Sequence, residues 1–373
     1  MPTSSNIIKV RHKLTMPSFP YLLIEDVTSL PGSYSIAVLP GDGIGPEVIE
    51  AAVKVLEAVQ EASKGLRLKL RFGEAGYNCI EKYGTNLPEE TIGILKETNA
   101  CLKGPMTTPE VPGAPPSAAV TIRKMFGLYA NVRPCKSLPG VQSLSPNIDL
   151  VIVRENTEGL YFGEEFEASP GKGIAIRVVT QAASERVARL AFELAMKRKR
   201  HVTCVHKRNI LRITDGIFRE SVFKVAEDYP SVSVDEVHID AMAMRLIKEP
   251  ERFDVIVATN MFGDILSDEA AQIVGGLGLA AGANIGDDYA MFEPVHGSAP
   301  KYAGKNKVNP IATILAAKMM MEYLGETEAA GLIQQAVVEV LKEGKIRTYD
   351  LGGNSTTQEV GEEIASKIIE PSS

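Results

Sequence analysis

The sequence predicts an α/β fold in two domains, and three observations carry that prediction. Short apolar runs rich in β-branched residues alternate with longer segments whose apolar positions recur at helical spacing, the order expected where strands meet helices. The chain has 373 residues, well above the ~150 that one domain commonly holds. Its composition, 45% hydrophobic and 23% charged with 32 Gly, belongs to a globular chain able to bury a substantial core.

Ser35 to Leu39 (SIAVL) reads as the first buried strand. The turn PGDGIGPEV, Pro40 to Val48, follows, and then a helix with Ile49, Val53 and Leu56 on one face. This turn invites a dinucleotide-binding reading, but its glycines run G-x-G-x-G and lack the third spacing of the Rossmann fingerprint. It reads better as a supporting turn in which glycine lets the backbone approach another segment. Further buried strands are DLVIV (149–153), HVTCV (201–205) and DVIVA (254–258). Long helices are predicted at Ser184 to Arg198, Asp215 to Asp228, Ile311 to Leu324 and Glu326 to Glu343. The three strands run into Arg154-Glu155-Asn156, into His206-Lys207-Arg208-Asn209, and into Thr259-Asn260 leading to Asp264. Ligands bind at the carboxyl ends of strands in such sheets.

Forty Lys and Arg against 47 Asp and Glu give a net charge of −7, which argues against nucleic-acid binding through general positive charge. Cys79, Cys101, Cys135 and Cys204 fit neither a zinc spacing nor a disulfide framework and read as isolated reduced thiols. The longest uncharged run, Ala270 to Gly286, is too short and too glycine-rich for a spanning helix, so no membrane segment is expected. Residues 1–31 have no acid before Glu25 and stand outside the pattern; a flexible extension, a transit peptide and an upstream start before Met16 all fit them.

Arg123, Arg133 and Arg154 each border an apolar segment, and three guanidinium forks suit a polycarboxylate. Arg123 taken alone fits a helix surface equally well. Asp264 and Asp268 are four apart on an expected helix, so their carboxylates project from one face about 5 to 6 Å apart at Cβ. A solvated acidic face is the commoner outcome of that spacing. The position directly after a buried strand favours a site for Mg²⁺ or Mn²⁺, which prefer oxygen ligands. Asp240, after another apolar segment, is a third candidate ligand. Lys207 and Tyr161 are candidate proton-transfer groups, provided they face the same substrate.

GDGIGPEV, YANVRP, RENTEGLY, HKRNILRITDG, NMFGDILSDEAA, GGLGLA, ANIGD and EPVHGSAP follow one another in this order. Together they resemble the metal-dependent β-decarboxylating dehydrogenases (isocitrate, homoisocitrate and 3-isopropylmalate dehydrogenases) from about Ser35 to Ile364. The resemblance implies a non-Rossmann α/β fold, with a large cofactor-binding domain from residues 32–128 and 275–373. A small domain, 129–274, would carry the dimer contacts and an interlocking β segment near 163–180. It implies a homodimer with a shared active site and no nucleic-acid or membrane partner. Arg123, Arg133, Arg154 and Tyr161 match substrate positions of one subunit, Asp264 and Asp268 its metal positions, and Lys207 and Asp240 residues lent by the partner. The implied chemistry is oxidation of a 2-hydroxy acid at C2, with Lys207 as base, then loss of CO₂ and return of a proton to carbon by Tyr161. A catalytically silent regulatory subunit of this fold would tend to lose such positions, and all of them stand.

Ser117, six before Arg123, sits where isocitrate enzymes bond the distal carboxylate, whereas Ala119 departs from the Asn that many of them carry and Val120 is uncharged. Lys103-Gly104-Pro105 with Thr107-Thr108 also resembles the isocitrate enzymes. Isocitrate is therefore the expected substrate, with homoisocitrate and 3-isopropylmalate as the alternatives. In HGSAPKYAGKNKVNP, Lys301, Tyr302 and Val308 replace the Asp, Ile and Ala of NAD-dependent members, and Tyr349 replaces a Pro. Lys301 can pair with a 2′-phosphate and the tyrosines can donate hydrogen bonds to it, so NADP is expected over NAD, although the arginine of such enzymes is missing at Gly353. Glu293, His296, Gly297 and Asn309 belong to the same cofactor segment. The implied place is the cytoplasm, or the mitochondrial matrix if residues 1–31 are a transit peptide.

Overall fold

The computed structural model describes residues 32–108 and 116–370, so the expected extension over residues 1–31 lies outside the described residues. The strands are β1 (Ser33–Leu39), β2 (Arg67–Phe72), β3 (Ala100–Lys103), β4 (Ala130–Lys136), β5 (Asp149–Glu155) and β6 (Glu165–Ser169), then β7 (Lys172–Ala175), β8 (His201–His206), β9 (Ser233–His238), β10 (Val255–Ala258), β11 (Ala281–Ile285) and β12 (Ala290–Pro294). The helices are α1 (Gly45–Ala62), α2 (Asn78–Tyr83), α3 (Glu89–Lys96), α4 (Ala118–Met125), α5 (Gln181–Met196) and α6 (Thr214–Ala226), then α7 (Ile239–Lys248), α8 (Asn260–Ile273), α9 (Ile311–Tyr323), α10 (Thr327–Glu343) and α11 (Thr357–Ile369).

The four strands and four long helices expected from periodicity are all present, with shifted ends. Helix α5 begins three residues before Ser184 because the Thr180 hydroxyl caps it, accepting from Ala183 N. Strand β5 runs two residues past the expected end, which brings Arg154 and Glu155 into the buried strand itself.

Ten strands form one sheet in the order β2-β1-β3-β12-β11-β4-β5-β10-β8-β9. Its two flanks are parallel, whereas β12–β11, β11–β4 and β4–β5 pair antiparallel. That antiparallel centre sets the sheet apart from the mostly parallel Rossmann arrangement. Residues 32–128 and 275–373 supply β1–β3, β11 and β12, and residues 129–274 supply the other half. Side chains alternate across a strand, so β4 turns Asn131 and Arg133 to one face and Val132 and Pro134 to the other. Helices cover both faces and bury a continuous apolar core that includes Ile36, Val38, Val132, Val153, Phe192 and Phe292. The hairpin β6–β7 forms a separate small sheet whose residues are all exposed, Phe166 and Ile174 among them.

The glycine turn after β1 is a brace. Gly41 and Gly43 have φ of +76° and +59°, and a Cβ on either would lie 2.2 Å from Pro105 O or 2.0 Å from Ser298 O. Asp42 N donates to Pro105 O (2.8 Å) and Ile44 N donates to Ser298 O (2.9 Å). The buried Asp42 carboxylate accepts from Tyr77 N, Asn78 N and Thr107 N at 2.8 to 3.0 Å. The turn thus fixes the 104–108 segment and the loop at Ser298 relative to each other, as a supporting turn should.

Candidate active site

The site forms where β5 and β10 end and β4 and α8 begin. Arg154, almost fully buried at the end of β5, donates through Nε and Nη2 to Asn260 Oδ1 (2.9 and 2.7 Å) and through Nη1 to Asp264. Asp264 also accepts from the Tyr161 hydroxyl and lies 3.3 Å from Arg133 Nη2. Arg133 donates from Nη1 to Ser267 Oγ (2.6 Å) and Asp268 Oδ1 (3.2 Å). Two guanidiniums therefore neutralise the two acids of one helix turn. Burial, and then the neighbouring Arg133, push the Arg154 guanidinium down to about 10. Burial raises the Asp268 carboxyl, with Arg133 pulling the other way and Asp264 adding to the rise. The Tyr161 hydroxyl is raised by burial and by its bond to Asp264, which keeps it protonated and able to donate.

A second cluster continues from the first. Glu293 on β12 lies 2.7 Å from both Lys103 Nζ and Arg123 Nη2. Burial opposes its ionisation, yet Lys103 and Arg123 hold the carboxyl far below the usual range. Arg123 is therefore no surface arginine: its side chain is only 13% exposed, and among the described residues its Nε has no partner. A cleft of about 240 Å³ opens here, lined by Lys103, Thr108, Ser117, Arg123, Arg133, Glu293, His296 and Gly297. Its remaining wall includes Met106, Ala119 and Val120. An orphaned guanidinium donor and two arginines, Arg123 and Arg133, around one cleft fit a carboxylate-bearing ligand.

Lys207 and Asp240 meet elsewhere. Lys207 Nζ lies 2.6 Å from Asp240 Oδ1, and this bond lowers the exposed Asp240 carboxyl. Arg177, in the segment returning from the β6–β7 hairpin, pairs with the buried Asp215, whose other oxygen accepts from Lys207 N (2.6 Å). Among the described residues no three His, Cys, Asp or Glu side chains gather to hold a metal. The oxygen donors Asp264 and Asp268 fit Mg²⁺ or Mn²⁺ in kind but are too few alone, so a protein-held site needs a ligand from outside this set.

The lysine loop forms a third cluster beside the cleft. Tyr302 and Tyr349 stack with centroids 5.8 Å apart, Lys301 Nζ stands 5.0 Å from the Tyr302 centroid, and Lys307 Nζ 4.9 Å from that of Tyr349. Lys305 Nζ lies 5.8 Å from the Tyr302 ring, and among the described residues no carboxylate pairs with any of the three lysines. Unpaired cations around two phenols fit a phosphate. A Cβ at Gly353 would lie 2.1 Å from Arg347 O, so this backbone has no room for the missing arginine. Val308 packs against Ile44 and Val48, and Asn309 is engaged by Asp350 and Ile311 N, so these two shape the loop through packing and bonding. Thr107 Oγ1 bonds Ser298 Oγ (2.6 Å), which joins the 104–108 segment to the same loop.

Sequence reading missed the buried amides Asn131 and Asn284 and the hydroxyl of Ser267, and gave no role to Asn260 at its strand end; each of these bonds a charged side chain, while Asn156 bonds Asn284. The signal was polar side chains inside or just beyond otherwise apolar strands.

The family model for isocitrate/isopropylmalate dehydrogenase matches residues 35–364. The 3-isopropylmalate/3-methylmalate dehydrogenase of Methanocaldococcus jannaschii is 49% identical over 345 residues, covering 90% of this chain and 99% of its own length. The isocitrate/homoisocitrate dehydrogenase of Thermus thermophilus is 49% identical over 339 residues, with 90% and 99% covered. The solved isocitrate dehydrogenase of Methylococcus capsulatus superimposes with a TM-score of 0.86 at 45% identity, covering 90% of this chain and 100% of that one. A matching family model, relatives 49% identical over nine-tenths of the chain and a shared fold lead to one conclusion: the chain belongs to the isocitrate/isopropylmalate dehydrogenase family of metal- and pyridine-nucleotide-dependent decarboxylating dehydrogenases.

Proposed function

We propose that the chain carries out NADP-linked oxidative decarboxylation of a 3-substituted malate, and that its preferred substrate bears a short or branched alkyl group at C3, as 3-isopropylmalate does. The observation that carries this reading is the cleft wall of Met106, Ala119 and Val120 beside Ser117. The nearby Lys103 is held by Glu293 and by Gly104 O. A distal carboxylate against that wall would find one hydroxyl and apolar surface, whereas an alkyl group would be matched. This reverses the order in which the sequence alone ranks the substrates. Isocitrate is the second reading, favoured by Ser117.

Arg123, Arg133 and Arg154 hold the malate carboxylates and fix C2 and C3 in the cleft. Lys207 from a second copy of the chain, as the neutral amine, takes the C2 hydroxyl proton, and Asp240 pairs with the ammonium that forms. Tyr161 returns a proton to carbon once CO₂ has left. Asp264 and Asp268, with Asp240 of the second copy, would hold the divalent ion. When bound, that ion would supply Lewis acidity and the dinucleotide would supply the hydride acceptor. Lys301, Tyr302 and Tyr349 read the 2′-phosphate, with Thr107, Thr108, His296 and Gly297 along the rest of the dinucleotide. In this reading residues 32–128 and 275–373 form the large domain, residues 129–274 form the small one, and the exposed β6–β7 hairpin interlocks with its twin.

The test is a matrix of initial rates with 3-isopropylmalate, isocitrate and homoisocitrate, each with NADP⁺ and NAD⁺ and Mg²⁺. The highest kcat/KM is expected for 3-isopropylmalate with NADP⁺. A tenfold preference for isocitrate would install the second reading, and a preference for NAD⁺ would remove the phosphate-reading role from the lysine loop.

A further inference from the structure

Glu293 and Arg133 belong to different clusters, yet a buried chain of amides joins them across three adjacent strands. Arg133 Nε donates to Asn131 Oδ1 (2.6 Å), Asn131 Nδ2 donates to Asn284 Oδ1 (2.9 Å), and Asn284 Nδ2 donates to Glu293 Oε1 (2.8 Å). Asn131 and Asn284 are fully buried and sit opposite each other in the β4–β11 register. Asn284 is saturated: Oδ1 also accepts from Asn156 Nδ2 (3.0 Å), and Nδ2 also donates to Met291 O (3.2 Å).

The orientation of this chain is fixed by its ends. Arginine Nε can only donate and an ionised carboxylate can only accept, so neither amide can flip without placing like groups face to face. Every bond therefore points the same way, from the cation to the anion, and each polarises the next. Glu293 in turn holds Arg123 and Lys103. The chain also crosses the antiparallel centre of the sheet, where strands from residues 32–128 and 275–373 meet those from residues 129–274.

We infer that Asn284 is a positioning residue: with Asn131 it sets the placement of the Arg133 guanidinium relative to Arg123, and so the geometry in which the substrate carboxylates are received. It touches neither substrate nor cofactor in this account, and its effect on substrate rests on the function proposed above.

The test uses full-length protein carrying Asn284→Leu, with Asn284→Ala as a milder second variant that likewise removes the acceptor for Asn131 and the donor to Glu293. In arginine-¹⁵N-labelled protein, the Arg133 Nε–H should exchange slowly in the wild type and at least roughly tenfold faster in either variant. The Arg154 Nε–H, which donates to Asn260, serves as the internal control and should not change. In rate assays, KM for the hydroxy acid should rise roughly tenfold while KM for the dinucleotide and kcat stay within about threefold. Unchanged Arg133 exchange in both variants would overturn the inference. So would a fall in kcat and melting temperature with no change in KM, the mark of a merely structural role. If Asn284→Leu does not fold, the Asn284→Ala exchange decides alone. Because exchange is read without substrate, a wrong substrate assignment leaves that outcome standing.

Discussion

Lys301 stands over the ring of Tyr302, with Nζ 5.0 Å from the centroid, and Tyr302 in turn stacks on Tyr349. The arrangement concentrates positive charge and phenolic donors at the point where a 2′-phosphate is expected. Lys301→Asp combined with Tyr302→Ile should move the NADP⁺/NAD⁺ ratio of kcat/KM toward NAD⁺ by about 10- to 100-fold, the scale of one or two charge-assisted hydrogen bonds. Initial rates with both dinucleotides check this, and an unchanged ratio would show that the loop does not read the phosphate.

Ala119 is the small residue of the apolar wall beside Ser117. Ala119→Asn places an amide against the C3 group, which costs an alkyl substrate and gives a carboxylate a donor. The isocitrate/isopropylmalate ratio of kcat/KM should rise by about 10-fold or more, in line with the ~1–3 kcal/mol that one such contact discriminates. Parallel rate measurements on the two acids decide it.

Glu293 and Lys103 form a buried pair at 2.7 Å. Lys103→Ala takes away one of the two cations that hold the carboxylate, leaving Arg123, and should cost roughly 1.5–3 kcal/mol of stability, read from denaturant midpoints. The sign of the pH effect follows from the depressed carboxyl. Its stabilisation is present above the unfolded carboxyl pKa of about 4.3 and is lost as pH falls through that value toward the lower folded one. The stability gap between wild type and Glu293→Gln should therefore shrink as pH falls below about 4.

The Lys207–Asp240 pair and the Asp264–Asp268 turn form separate clusters within one chain, which the proposed shared site explains. Lys207→Ala and Asp264→Asn should each be inactive alone. Unfolded together and refolded as mixed dimers, they should recover about a quarter of wild-type activity, since half the dimers are mixed and each carries one intact site. No recovery despite demonstrated subunit exchange would place the whole site in one chain.

Much of this was legible before any fold was known. The apolar runs that became β1, β5, β8 and β10 and the periodic faces that became α5, α6, α9 and α10 were readable because burial imposes periods of 2 and about 3.6 on neighbouring residues. Arg154, Lys207 and Asp264 stood out because each follows a buried strand, and the ordered blocks carried the family. The N-cap that moved the start of α5 was not anticipated, since a single hydroxyl decides it.

What the tertiary structure alone decided is which polar groups meet. Asn131 and Asn284 are 153 residues apart and become partners only because β11 is laid antiparallel beside β4. Arg123, equally readable as a surface residue, is largely covered because α4 carries it to Glu293 on β12. The wall of Met106, Ala119 and Val120, on which the proposed substrate order rests, is assembled from a loop and a helix that no local pattern joins. Periodicity is a local consequence of burial and is written along the chain. The partner of a buried charge is fixed by strand order and register, so it becomes determined only when the sheet closes.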